Sequence, residues 1–225
     1  WFLLDLSPSI DFGSATKKRG LSTDFIAVLA RMLTRQGNRV GALFYGDRVD
    51  TVVPARSGRR HVLGLLHRLL ERPEMPQSAG TDLRAFLRTA YQVIPRRSMV
   101  FIVSDFFSEP GWAEPLAHLA ERHEVVAVRL YDPLERALPD MGMLVMQDAE
   151  TGEQMVVDTH DKGFRKRFAA MAEAREADLR LGFTRAGVDC LTLSTDTRLD
   201  LALLQFARQR SRRLGTARDA IRGIA

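Results

Sequence analysis

Trp1-Phe2-Leu3-Leu4-Asp5-Leu6-Ser7-Pro8-Ser9 opens the chain with four apolar residues that run straight into an acid and then two hydroxyls. A short continuous apolar run of this kind suits a strand buried on both faces, as in a parallel sheet. The same grammar returns at Met99-Val100-Phe101-Ile102-Val103-Ser104-Asp105. Two strands that each stop at an aspartate decide the reading. In an open parallel sheet the loops beyond the carboxyl ends converge where strand order reverses, and ligands sit in that crevice.

Working outward, Phe25, Val28, Leu29, Met32 and Leu33 recur at three- and four-residue steps, which predicts a helix from Ser14 to Gln36 closed by Gly37-Asn38. Val40 to Tyr45 reads as a second strand, Gly46-Asp47 as a hairpin turn, and Val49 to Pro54 as an antiparallel third strand. Pro54 suits a strand end or an edge. Helices are expected at Arg59 to Leu70, Asp82 to Val93 and Trp112 to Arg122, with a fifth strand at Val125 to Leu130. The rhythm breaks from Asp132 to Thr159. There Met143 to Met146 and Met155 to Val157 flank a turn at Glu150-Thr151-Gly152, which predicts an appended β-hairpin. A long charged helix (Gly163 to Arg185), a sixth strand (Cys190 to Leu193) and a last helix (Leu199 to Arg213) complete the chain. Strands alternating with helices predict an α/β fold: a doubly wound, mostly parallel, six-stranded Rossmann-like sheet. One domain is expected over residues 1–213, with an insert at about 132–160 and a tail at 214–225.

Composition bounds the rest. The chain has 225 residues, 45% hydrophobic and 27% charged, with a formal net charge of +5. That describes an ordinary folded domain with a real core. Its basic residues are spread along the chain, so nucleic acid is not an expected partner. Cys190 stands alone, reads as a small core residue and excludes an internal disulfide, which favours a reducing, cytoplasmic setting. No stretch approaches the roughly 18 apolar residues of a membrane span. The start at Trp1, already inside a strand and without Met, leads us to expect a further N-terminal segment in the whole protein. Such a segment leaves a membrane anchor open.

Asp5, Ser7 and Ser9 are spaced by two, so a tight loop stiffened by Pro8 turns three oxygens toward one point. In Ala79-Gly80-Thr81-Asp82, Gly80 frees the backbone and Thr81 offers a hydroxyl at a helix mouth. With Asp105 the set is two carboxylates and three hydroxyls. Hard oxygen donors without thiolate or imidazole suit Mg²⁺ or Mn²⁺ rather than Zn²⁺ or Cu. Two carboxylates only balance such an ion, and an open coordination position remains attractive to an outside acid group. The competing explanation makes the strand-end aspartates helix caps and Ser7 and Ser9 ordinary loop residues. Asp82 is expected in the first turn of its helix, and Asp11 and Asp47 as turn formers. His61, His67, His118, His123 and His160 lack metal spacing and read as surface or helix-end residues. Phe106, Phe107 and Trp112 are either core or a rim beside the ion.

The ordered pattern Asp5-x-Ser7-x-Ser9, Thr81, Asp105 resembles the metal-ion-dependent adhesion site of von Willebrand factor A-type domains. The resemblance implies that Ser7, Ser9 and Thr81 ligate the ion directly, and that Asp5 and Asp105 act directly or through water. It also implies sheet order 3-2-1-4-5-6 with the third strand antiparallel. More narrowly, Leu4 to Ser14 with Lys17 or Lys18, Asn38-Arg39-Val40-Gly41 and Val103-Ser104-Asp105-Phe106 resemble the bacterial domain-of-unknown-function family 58. That family is associated with MoxR-type AAA+ ATPases, so such an ATPase is an implied protein partner. The expected function is metal-dependent protein–protein interaction, not catalysis. The alternative is a metal-assisted phosphohydrolase of the strand-end aspartate type. Against it, position 7 is Ser rather than a second aspartate, and the four lysines (Lys17, Lys18, Lys162, Lys166) leave none in mid-chain.

Overall fold

The computed structural model describes residues 1–14, 16–75, 81–147 and 152–208. Six strands form the main sheet: β1 (Phe2–Asp5), β2 (Val40–Tyr45), β3 (Val49–Arg56), β4 (Met99–Ser104), β5 (Glu124–Tyr131) and β8 (Asp189–Ser194). Their spatial order is β3-β2-β1-β4-β5-β8. All neighbours are parallel except β2 and β3, which are antiparallel. This is the order that the A-domain resemblance implies. β1 and β4 run side by side with Leu4 opposite Val103. The chain moves outward from β1 to β2 and from β4 to β5, so the reversal point lies between β1 and β4, where the two aspartates emerge.

Helices α1 (Lys18–Arg35), α2 (Arg59–Leu70), α3 (Leu83–Val93), α4 (Ala113–Arg122) and α5 (Lys162–Arg185) cover the sheet. α1, α2 and the helical stretch 199–208 close one core, in which the rings of Phe2, Phe25 and Phe101 meet at centroid distances of 5.5–6.4 Å. α3, α4 and α5 close the other, around Tyr45, Phe86, Phe106, Trp112 and Phe183. Gly182 lets α5 approach closely, because a Cβ there would lie 2.6 Å from the Trp112 ring. Two packed faces explain why the central strands read as unbroken apolar runs.

The expected elements are present, with shifted bounds where local chemistry intervenes. Pro8–Asp11 forms a 3-10 turn with Pro8 leading it, so α1 begins at Lys18 instead of Ser14. β3 continues through Pro54 to Arg56; it is an edge strand, where a missing N–H is tolerated. Asp82 caps α3 from outside its first turn, its side chain accepting the Ala85 N–H at 3.1 Å. Cys190 sits half-buried on the β8 edge strand against the second core, not deep within it, and burial raises its thiol to about 11. Of the two readings of the histidines, surface or helix-end, His123 takes the second: it caps the end of α4, where it is buried, and that burial holds its imidazole below the usual value. The last helix is described to residue 208, and the expected stretch to Arg213 and the tail at 214–225 lie outside the described residues.

The insert holds the expected hairpin, β6 (Met143–Gln147) paired with β7 (Gln154–Asp158). Of its expected turn, Glu150 and Thr151 lie outside the described residues. Its root is closed by Thr159, whose N–H and hydroxyl both donate to the Gly142 carbonyl at 2.8 and 2.7 Å. The Thr159 hydroxyl also accepts the Met141 N–H at 2.9 Å. Among the described residues, no helix is long and apolar enough to cross a membrane.

Candidate metal centre at the ends of β1 and β4

Asp5 and Asp105 are 1% and 0% exposed, and each is held by the loop that follows it. Asp5 Oδ1 accepts the Ser7 N–H at 3.0 Å, and Oδ2 accepts the Ser104 hydroxyl at 2.6 Å. Asp105 Oδ1 accepts the Phe107 N–H at 3.1 Å, and the Ser104 hydroxyl oxygen accepts the Phe106 N–H at 2.8 Å. Phe106 has φ 55, left-handed for a residue with a Cβ, so β4 ends in a sharp turn. Packing holds that conformation: the Phe106 ring lies 4.8 Å from Phe183 and 5.5 Å from Trp112. Phe106 and Trp112 are therefore core, not rim. Half-buried Phe107 is the exposed member of the group, with Arg175 and Lys18 over its ring at 4.4 and 5.4 Å.

Ser7 and Ser9 are buried, with hydroxyl oxygens 3.2 Å apart. Thr81 is buried too. Its carbonyl accepts the Ser108 hydroxyl at 2.7 Å and the Glu109 N–H at 3.1 Å, which ties its loop to the one leaving β4. The Asp82 N–H donates to the Tyr45 hydroxyl at 3.1 Å, which ties that loop to the end of β2, where Tyr45 stands opposite Asp5. The five expected residues thus lie in three loops stitched together at one end of the sheet. Gly80 lies outside the described residues.

The electrostatics of the two carboxylates differ. Burial, and then the charge of Asp105, push Asp5 up to about 7, against the Ser104 and Ser7 hydrogen bonds. Burial alone would raise Asp105 as well, but the Lys18 ammonium and the Arg129 guanidinium outweigh it and hold that carboxyl below the usual range. Lys18 was legible only as part of a motif, and its role was not. It is fully buried, with Nζ 2.6 Å from Asp105 Oδ2 and 2.5 Å from Glu135 Oε1. Burial works against its charge, but these two carboxylates raise it above its ordinary value.

The donors suit a hard divalent ion. Each carboxylate offers about four lone-pair positions and uses few of them here, and two apposed anions at a buried end call for positive charge. Lys18 supplies one unit of that charge, on the Asp105 side. Among the described residues no group of three or more His, Cys, Asp or Glu could hold a metal. A divalent ion at this place would have only two carboxylates to hold it, with hydroxyls and water for the remaining positions, a donor set that fits Mg²⁺.

A family model for "Protein of unknown function DUF58" matches residues 1–178. The chain belongs to the DUF58 family. Its relatives include an uncharacterized protein of Mycobacterium tuberculosis, 35% identical over 213 residues, which cover 94% of this chain and 67% of the relative. An uncharacterized protein of Mycobacterium avium is 38% identical over 162 residues, 72% of this chain and 95% of that one. Two solved structures share the fold of this DUF58 chain. One is the conserved hypothetical protein BatB of Bacteroides thetaiotaomicron, with TM-score 0.61 and 15% identity, covering 94% of this chain and 97% of that one. The other is an aerotolerance-related membrane protein of Bacteroides fragilis, with TM-score 0.60 and 13% identity, covering 92% and 97%.

Proposed function

We propose that this chain is a protein-interaction module that holds one divalent cation, Mg²⁺ or Mn²⁺, at the ends of β1 and β4 and uses it to capture an acidic residue of a partner protein. The observation that carries the reading is the pair of buried carboxylates, Asp5 and Asp105, at the strand-order reversal, with the Ser7, Ser9 and Thr81 loops gathered beside them. When bound, the ion supplies an open coordination position for an outside carboxylate. The chain's own residues do the rest. Asp5 and Asp105 balance its charge, Ser7, Ser9 and Thr81 offer neutral oxygens, and Ser104 holds Asp5 in orientation through its 2.6 Å hydrogen bond. Neutral hydroxyls leave the ion electrophilic, which suits partner capture more than a sealed structural site. The family resemblance names a MoxR-type AAA+ ATPase as the partner class, in an assembly or chaperone-like role.

Thermal unfolding with Mg²⁺, with Mn²⁺ and with EDTA tests the metal. Ligand in roughly hundredfold excess over its dissociation constant stabilises the native state by about 2.7 kcal/mol. The wild-type midpoint is expected to rise with either ion, and the Asp5→Ala and Thr81→Ala midpoints to stay put. A wild-type midpoint indifferent to metal and EDTA would sink the reading. Turnover of p-nitrophenyl phosphate that disappears in Asp5→Asn would replace it with the phosphohydrolase alternative.

A further inference from the structure

The sequence carries a charge asymmetry that the metal centre does not use. Residues 25–46 contain Arg31, Arg35 and Arg39 and no acid; residues 51–70 contain Arg56, Arg59, Arg60 and Arg68 and no acid. These stretches include most of α1 and all of α2, which pack side by side over the first core. Between them runs an open trough of about 440 Å³. Its floor includes Val62 and Leu66, its walls Val28 and Leu63, and its rim Arg31, Arg35 and Arg59. Val28 and Leu63 are 41% and 53% exposed, and Met32 beside them is 53% exposed.

Three features fix the chemistry of an occupant. The trough is concave and apolar at its base, so it takes side chains inserted from above and not a flat surface. The three rim guanidiniums are exposed, and none is in an ion pair among the described residues. The amino end of α2 adds to the same field: its cap residue, Gly58, makes no side-chain capping bond, and its first turn holds no acid. Uncapped N–H groups at a helix start favour a carboxylate from outside. An apolar floor with a cationic rim matches a helix that carries Leu-like side chains along one stripe and Glu or Asp on both flanks.

We propose that the α1–α2 face is a docking groove for an acidic amphipathic helix of a partner protein. The apolar stripe seats on Val28, Val62, Leu63 and Leu66, and the flanking carboxylates meet Arg31, Arg35 and Arg59. This groove lies on the middle and carboxyl half of α1, and it works without the metal centre at that helix's amino end.

The test uses the whole 225-residue chain in EDTA, so that carboxylate capture by a metal cannot contribute. The probe is a fluorescein-labelled helix-forming peptide of about 18 residues, with Leu at i, i+3, i+4 and i+7 and Glu elsewhere. Saturable binding that falls about tenfold or more, in Arg31→Glu/Arg35→Glu/Arg59→Glu and separately in Leu63→Asp, is the expected result. Both variants should keep the wild-type unfolding midpoint within a few degrees, since every substituted side chain is exposed. No binding, or equal binding by wild type and both variants, overturns the proposal. Anionic vesicles of phosphatidylserine and phosphatidylcholine, or duplex DNA, binding more tightly than the peptide and losing affinity on charge reversal alone, would reassign the face to a membrane or nucleic acid. A wild-type dimer in sedimentation that the Leu63→Asp substitution dissociates would reassign it to a second copy of the chain.

Discussion

Asp5 and Asp132 stand at the same end of the sheet, one closing β1 and the other following β5, and both are buried. Their surroundings differ. Asp132 is ringed by donors: the Ser14 N–H at 2.7 Å, the Thr195 hydroxyl at 2.6 Å, the Leu134 N–H at 2.9 Å and the Ser14 hydroxyl. Burial would raise it, but these donors outweigh the cost and hold it below the usual carboxylate range. Asp5 has two donors and a second carboxylate in view, and it rises to about 7. A buried acid with every lone pair met is structural, tying three loops into one rim. A buried acid short of positive charge has the character of a binding site.

Lys18 is the sharpest way to break the contrast, because it is the cation that already serves Asp105. Lys18→Met leaves Asp105 and Glu135 without their buried partner and is expected to cost about 3–5 kcal/mol of stability in EDTA, read by urea denaturation. Mg²⁺ should then stabilise this variant more than it stabilises wild type, because the divalent ion replaces the missing charge. A loss below about 1 kcal/mol would show that the Asp105 side needs no cation.

Asp132→Ala tests the structural half. It strands the Ser14, Thr195 and Leu134 donors and should cost about 2–4 kcal/mol, with no change in the response to Mg²⁺. If that response were lost with it, the two aspartates would belong to one unit.

Asp5→Asn should have the smallest effect and the opposite sign. A carboxyl raised from 3.8 to about 7 in the folded state binds protons that the unfolded chain releases. Its contribution to stability therefore falls as pH rises from about 4 to about 7, and the deficit is full above that. In EDTA, Asp5→Asn should remove this decline, about 4 kcal/mol for a rise from 3.8 to about 7, and lose the Ser104 hydroxyl's bond to a charged oxygen, about 2 kcal/mol, for a net gain of about 2 kcal/mol at pH 8. An unchanged profile between pH 4 and 8 would mean that Asp5 is not short of positive charge.

The fold was legible because its signals are local. Apolar runs such as Val100 to Val103, helical periodicity in α1 and turn residues at Gly46-Asp47 each report on a few neighbours in the chain. The gathering of Asp5, Ser7, Ser9, Thr81 and Asp105 at one end of the sheet was legible because three of them lie within five residues and the others sit at recognisable strand and helix ends. What governs those donors was not. Lys18 reaches Asp105 across 87 residues, Ser104 reaches Asp5 across 99, and Ser14 reaches Asp132 across 118. No spacing rule encodes such pairings; they exist only once the sheet order places the loops together. The burial of His123 escaped for the same reason, since nothing near it in sequence marks a helix end that turns into the core.

The closed root of the β6–β7 hairpin has a practical consequence. Thr159 clamps the Gly142 carbonyl twice before the chain enters α5, so the hairpin is closed at its own root, and among the described residues its two strands pair with each other and not with the main sheet. A fluorescent reporter or an affinity handle spliced between Gln147 and Gln154 would sit beyond that root and is expected to leave the rim of aspartates and the arginine trough undisturbed, read as an unchanged unfolding midpoint.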